Sequence, residues 1–316
     1  MYSFKIISAC LLGIIGLFLQ GGEMAKQPLC LADPFILWDD GKYYAYGTSH
    51  KDGILVYESF DLKDWKLVNT HGGFALHKRD TSGSQGFWAP EVYRCGKKYL
   101  MYFTRDLKIS CALADSPRGP FREVNCEPMY QVPENRIDNS LFIDDDGSAY
   151  IFFNRWVKGA SEVWGAALSE DMTRVREETL FRALGPEEKW ETVQGRITEG
   201  PFVFKHDGKY YLSYSANSYK SRDYAIGYAV SDSPRGPYMK AAENPILRRP
   251  ANFLGAGHHS FFRDRDGNLR IVFHVHYSSE NIQPRRTVIG RVFFKDGKLS
   301  VGDTFLEPEM MVNRNN

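Results

Sequence analysis
The chain has 316 residues, a formal net charge of +1, 43% hydrophobic and 14% aromatic residues. A charge so near zero leaves no basic footprint for nucleic acid and no acidic tail, and no Pro/Gly/Ser-rich linker or low-complexity tract divides the chain. The aromatic, turn-rich composition suits a soluble all-β domain, and such folds run long as single units.

Residues 1–25 read as a secretory signal peptide. Met1 to Lys5 carries one positive charge, Ile6 to Leu19 is apolar, and Gln20 to Ala25 is short and polar with small residues. The apolar run is short for an ordinary spanning helix, so export to the periplasm or the medium is expected, with a retained anchor as the alternative. Ile7-Ser8-Ala9-Cys10 has the look of a lipidation box but lies too early in the run. Beyond this segment no membrane association is expected, and oligomeric state is not set by the sequence.

Residues 26–316 are expected to form one domain. Five hairpin units follow in order: Ala32 to Ser49, Trp88 to Thr104, Arg136 to Phe153, Thr198 to Asn217 and Gly257 to His276. Their turn glycines, Gly41, Gly96, Gly147, Gly208 and Gly267, are separated by 55, 51, 61 and 59 residues. Glycine between alternating apolar runs marks a tight hairpin, because it accepts positive φ. Between the hairpins, Glu58 to Val68, Ala112 to Phe121, Leu168 to Glu178 and Ala229 to Tyr238 read as a third strand, a polar loop and a short outer strand. Four strands repeated five times predict a five-bladed β-propeller. The acidic clusters Asp39-Asp40, Asp144-Asp145-Asp146 and Asp264/Asp266 fall in the turns, where aspartate bonds nearby backbone, and are expected to be solvated.

Three other acids, Asp33, Asp138 and Glu199, recur at what reads as the same place, the start of the first strand of units one, three and four. Radial repetition carries equivalent positions to one axis, so the three are expected to share a pocket. Glycosidic hydrolysis needs a protonated acid at the leaving oxygen and a carboxylate that activates water or attacks the sugar. A third anion can hold up the pKa of the acid. Carboxylates that merely cap strand starts are the bland alternative, and a non-catalytic carbohydrate-binding propeller is the alternative of a different class; a lectin has no need of the trio.

At these residues the chain resembles glycoside hydrolase family 43. The Asp-Pro strand at Asp33, Trp-Ala-Pro-Glu at Trp88, Ile-Asp-Asn-Ser at Asp138, Glu-Gly-Pro at Glu199 and Gly-His-His-Ser at His258 follow in the family's order. The resemblance implies an inverting hydrolase with Asp33 as general base, Glu199 as general acid and Asp138 as the residue that tunes and orients the acid. Asn139 stands where the family often has proline. The resemblance also implies substrate contacts from His258 and Arg285, with Arg286 the neighbouring candidate. Trp88 is suited to stacking on a sugar face or to packing. No cofactor is expected; a calcium or other structural ion near His258 in the propeller channel is possible in relatives of this kind. His259, His274 and His276 receive no role. Segments around Trp190-Glu191, Tyr214 to Asn217 and Tyr224 to Tyr238 resemble exo-acting relatives. The expected substrates are arabinan, arabinoxylan or derived oligosaccharides, with α-L-arabinofuranosidase activity first and β-xylosidase or endo-arabinanase as alternatives. Cys111 and Cys126 lie in one unit and could pair, with free buried thiols at least an equal reading.

Overall fold
The computed structural model describes residues 24–313. Most of the expected signal segment lies outside them. Among the described residues there are strands and five short 3-10 turns but no α-helix. Five antiparallel sheets form a five-bladed β-propeller. The inner strands are Ala32–Asp39, Trp88–Cys95, Arg136–Ile143, Thr198–His206 and Gly257–Arg263. Each contacts the next around the ring, and the fifth contacts the first.

The first blade seals the ring. Its outer strand, Asp64–Leu67, pairs in parallel with the C-terminal strand Glu309–Asn313, which pairs in turn with Met24–Pro28. Residues 24 and 25, at the end of the expected signal segment, therefore sit in register with Asn313 and Val312. Between blades the packing is apolar and aromatic: Phe35, Val92, Met101 and Phe103 belong to one buried cluster, and Leu141, Ile151 and Phe153 to another.

Every inner strand has a β-bulge at the same step. The register skips between Ala32 and Phe35, Trp88 and Glu91, Ile137 and Ser140, Glu199 and Phe202, and Gly257 and Ser260. The first skipped residue has positive φ each time: Asp33 at 51°, Ala89 at 43°, Asp138 at 57°, Gly200 at 56° and His258 at 44°. Bulges re-aim side chains, and non-glycine residues in this strained region concentrate at functional sites. Asp33 and Asp138 are thus equivalent, but Glu199 is not their equivalent. It stands one residue earlier, at the position of Trp88, and Gly200 holds the bulge. The prolines Pro34, Pro90 and Pro201 align, which makes Asp-Pro and Glu-Gly-Pro differ by one step.

The bulges are tied from blade to blade. The N–H of Ala89 donates to Thr48 Oγ1 at 3.0 Å, that of Asp138 to Thr104 Oγ1 at 3.2 Å, that of His258 to Ser215 Oγ at 2.8 Å, and that of Asp33 to His274 Nδ1 at 3.1 Å. Thr48, Thr104, Ser215 and His274 occupy one equivalent position on the second strand of their blades. The exception is blade three, where Asn154 donates instead to the Thr198 carbonyl at 2.9 Å.

The turn acids depart from expectation. Asp39 is buried and accepts from Arg94 at 2.7 Å and from the Tyr99 hydroxyl at 2.5 Å, clamping blade one to blade two. Asp144 accepts from Lys205 and Tyr210 of blade four, and Asp264 is buried against Arg270 and Asn268. In these three turns the next residue is exposed, and the first acid is kept for a clamp. Cys30, Cys95, Cys111 and Cys126 are all free thiols, with Cys111 buried and Cys126 exposed, so of the two readings of Cys111 and Cys126 the unpaired one holds.

Candidate active site
The bulges bring Asp33, Asp138 and Glu199 to one pocket of about 600 Å³ at the propeller axis. Trp88, His258 and Arg285 line it too, as do Thr48, His50, Lys51 and Tyr219. Four elements converge on Asp33. Thr48 donates to Oδ2 at 2.6 Å and Arg285 to Oδ1 at 2.9 Å; His258 Nδ1 is 3.3 Å and His274 Nδ1 3.4 Å from Oδ1. Burial alone would raise the pKa of Asp33, but Arg285, His258 and His274 outweigh it and hold the carboxyl well below the usual range.

The other two carboxyls go the opposite way. Burial, then the charge of Asp33, pushes Glu199 up to about 7, while the Tyr224 hydroxyl, donating to Oε1 at 2.7 Å, pulls it down. Asp138 is raised well above its ordinary value by burial, then by Glu199 and Asp33, and accepts from the Gly200 N–H. The site therefore sets one carboxyl whose surroundings favour the ionised form, Asp33, beside two whose surroundings favour the protonated form, Asp138 and Glu199. Paired carboxyls whose surroundings separate their pKa values are how a site obtains an acid and a base.

Trp88 is 37% exposed, so its indole is open to the pocket rather than packed away. Its position matches that of Glu199, which puts a flat ring where blade four puts a carboxyl. Arg285 lies over the Tyr219 ring, 4.6 Å from its centroid, and is itself 9% exposed. Arg286 turns outward to Glu307 at 2.7 Å. His276 Nε2 donates to the Tyr219 carbonyl at 2.8 Å and so anchors the loop that carries Tyr219. Sequence reasoning gives Thr48 and Tyr219 no place in the site, His274 no role, and Tyr224 only a place at the head of a segment; the recurrence of Thr48, Thr104 and Ser215 at one register position is the available clue to the first.

Two groups of residues stay outside. Glu191 is buried behind blade four, accepting from Tyr214 at 2.5 Å and Lys240 at 2.6 Å, and Asn217 donates to the Trp190 carbonyl at 2.7 Å. These segments brace the blade and do not line the pocket. Below the pocket, a water-sized space is lined by Glu91, Asn139, His258 and His259. Burial pushes Glu91 up to about 8, and its carboxyl faces Tyr93 and the Leu141 N–H. Asn139 Oδ1 and His259 Nδ1 are buried there without partners, which fits a small polar occupant. Among the described residues no group of three His, Cys, Asp or Glu side chains could hold a metal ion.

A five-bladed propeller with acidic residues of divergent pKa at its axis has the form of a glycosidase. The family model for glycosyl hydrolases family 43 matches residues 27–299, and the chain belongs to that family; it is a glycoside hydrolase. It is 38% identical to a solved structure described as endo-1,4-beta-xylanase from Bacteroides thetaiotaomicron, with a TM-score of 0.85, covering 91% of this chain and 99% of that one. A thermostable family-43 glycoside hydrolase is 35% identical, with a TM-score of 0.81, over 91% of this chain and 96% of that one. Among curated relatives, the xylosidase/arabinosidase 43A of Humicola insolens is 26% identical over 85% of this chain and 95% of its own length.

Proposed function
We propose that the protein is an exported, exo-acting, inverting α-L-arabinofuranosidase that releases arabinose from arabinan, arabinoxylan or their oligosaccharides. The observation that carries the chemistry is the opposite displacement of two carboxyls in one pocket: Asp33 held anionic by Arg285, Glu199 pushed up to about 7. Asp33 takes a proton from the water that attacks the anomeric carbon. Glu199 gives its proton to the leaving oxygen from the other side of the bond. Asp138, buried beside Glu199, keeps that proton in place until the substrate arrives. Arg285 and Trp88 hold the sugar, the first by donating to ring hydroxyls and the second by stacking, and His258 lines the pocket beneath it.

The trio supplies acid, base and tuning functions, so in this reading the reaction proceeds without a metal. Turnover that survives dialysis against chelator supports this, and loss restored by one added metal without refolding opposes it. Arabinose is favoured because relatives with both xylosidase and arabinosidase in their names match most of the chain. A second reading, action on xylosides or xylan, is favoured by the name of the 38% identical neighbour. The deciding experiment is a panel of aryl α-L-arabinofuranoside, aryl β-D-xyloside, linear arabinan and arabinoxylan with products identified. Arabinose as the first product from the furanoside and from chain ends supports the proposal. Preference for xyloside moves it to the second reading, and binding without hydrolysis returns the protein to the lectin class.

A further inference from the structure
Tyr224 stands just before the third strand of blade four, Ala225–Ser231. Its ring is fully buried and stacks on the His274 imidazole, with centroids 5.7 Å apart and planes at 17°. At Gly257 a Cβ would come within 2.2 Å of Tyr224 Cε1, so the glycine is what gives the ring its place. Clamped between blade five and its own strand, the ring has little freedom to turn. Among the described residues the hydroxyl makes one hydrogen bond, to Glu199 Oε1 at 2.7 Å.

We propose that Tyr224 is the positioning residue of the general acid: by donating to Oε1 it reserves Oε2 of Glu199 for the proton that is transferred to the leaving group. The inference rests on the reading of Glu199 as the acid. A carboxylic acid has two oxygens, and its proton can sit on either. A phenol is the weaker acid of the two, so it acts as donor, and burial beside Glu199 keeps the Tyr224 hydroxyl protonated. With Oε1 occupied as an acceptor, the acidic proton is confined to Oε2. As that proton leaves, negative charge grows on the carboxyl, and the Tyr224 bond becomes charge-assisted and stronger. The interaction is therefore worth more in the transition state than in the ground state, which is the condition for raising the rate. Asp33, Asp138 and Arg285 are the ionisable groups that act on the same pair, and none of them donates to Oε1 of Glu199.

The test compares wild type, Tyr224→Phe and Glu199→Ala on two glycosides of the preferred sugar, one with a dinitrophenyl leaving group and one with an alkyl leaving group. The dinitrophenolate departs without protonation; the alkoxide needs the acid. Tyr224→Phe keeps the stacked ring and removes only the donor. It is expected to lower kcat about tenfold on the alkyl glycoside, the scale of one charge-assisted hydrogen bond, with KM little changed and the dinitrophenyl reaction spared. The basic limb of its pH profile is expected to move upward, because a donor that favours the carboxylate has gone. Taking the ratio of the two substrates within one preparation cancels any unfolded fraction. A ratio equal to that of wild type overturns the role of Tyr224. Glu199→Ala separates the underlying reading: a loss confined to the alkyl glycoside upholds Glu199 as the acid, and an equal loss on both substrates removes that assignment whatever Tyr224→Phe shows.

Discussion

Arg285 donates to Asp33 across 2.9 Å and 252 residues of sequence, joining the last blade to the first at the carboxylate proposed as the base. The guanidinium cannot lose its proton near neutral pH. It is the first of the attractive influences that keep Asp33 ionised although buried, ahead of His258 and His274.

Removing the carboxylates one at a time is the first check on the site. Asp33→Asn, Asp138→Asn and Glu199→Gln are expected to fold, since each keeps its size and the blade hydrogen bonds. Each is expected to lower kcat/KM by about 10²–10⁴-fold, the usual contribution of a general acid or base. Full activity in Asp33→Asn would remove it from the mechanism.

The pH profile of kcat/KM should be a bell. Asp33 must be ionised, and its pKa is depressed, so the acid limb is expected below the ordinary aspartate value of 3.8. Glu199 must be protonated, so the basic limb is expected near its value of about 7. Arg285→Met removes a cation that lowers both groups. Both limbs should then move to higher pH, that of Asp33 further. A profile that only drops in height, with limbs unmoved, would make Arg285 a substrate contact without electrostatic influence on the pair.

Stereochemistry tests the division of labour between Asp33 and Glu199. NMR of the first-formed sugar is expected to show an inverted anomeric centre. Inverting enzymes leave about 6.5–9.5 Å between carboxyls for a water, whereas retention needs a nucleophile about 5–5.5 Å from the acid. A retained centre would recast Asp33 as that nucleophile.

A stability prediction concerns the buried clamp at Asp39. Asp39→Ala leaves the Tyr99 hydroxyl, in a residue 7% exposed, without its acceptor. The expected cost is about 2 kcal/mol, read as a lower urea midpoint at unchanged slope. The Arg94 side of the clamp adds little, because that side chain is 58% exposed. Unchanged stability would mean that Tyr99 finds water instead.

The sequence carried the parts of this molecule that repeat locally. Asp-Gly turns such as Asp40-Gly41 announce hairpins because two adjacent residues decide the geometry. Asp33, Asp138 and Glu199 were visible because each begins a recognisable strand. The one-residue offset of Glu199 was not, since the bulge shows itself in cross-strand register and not in composition. Partners of the carboxylates were harder still. His274 meets the Asp33 N–H across 241 residues, and a histidine on an apolar strand looks the same whether it faces packing or a catalytic group. Tyr224 is one of 18 tyrosines, and only the empty place at Gly257 singles it out.

The seal on the first blade has a bearing on how the enzyme is made. Translation delivers Asp33 in the first blade and the strand Glu309–Asn313 only after the fifth. A nascent chain that has reached the end of blade four already carries Asp33, Asp138 and Glu199, yet it lacks Arg285, His274 and the segment that locks the circle. Asp33 is then a carboxylate without a cation, and Tyr224 has no imidazole to lean on. Competence for hydrolysis does not accumulate blade by blade. It arrives in one step, when blade five and the strand Glu309–Asn313 have closed onto blade one.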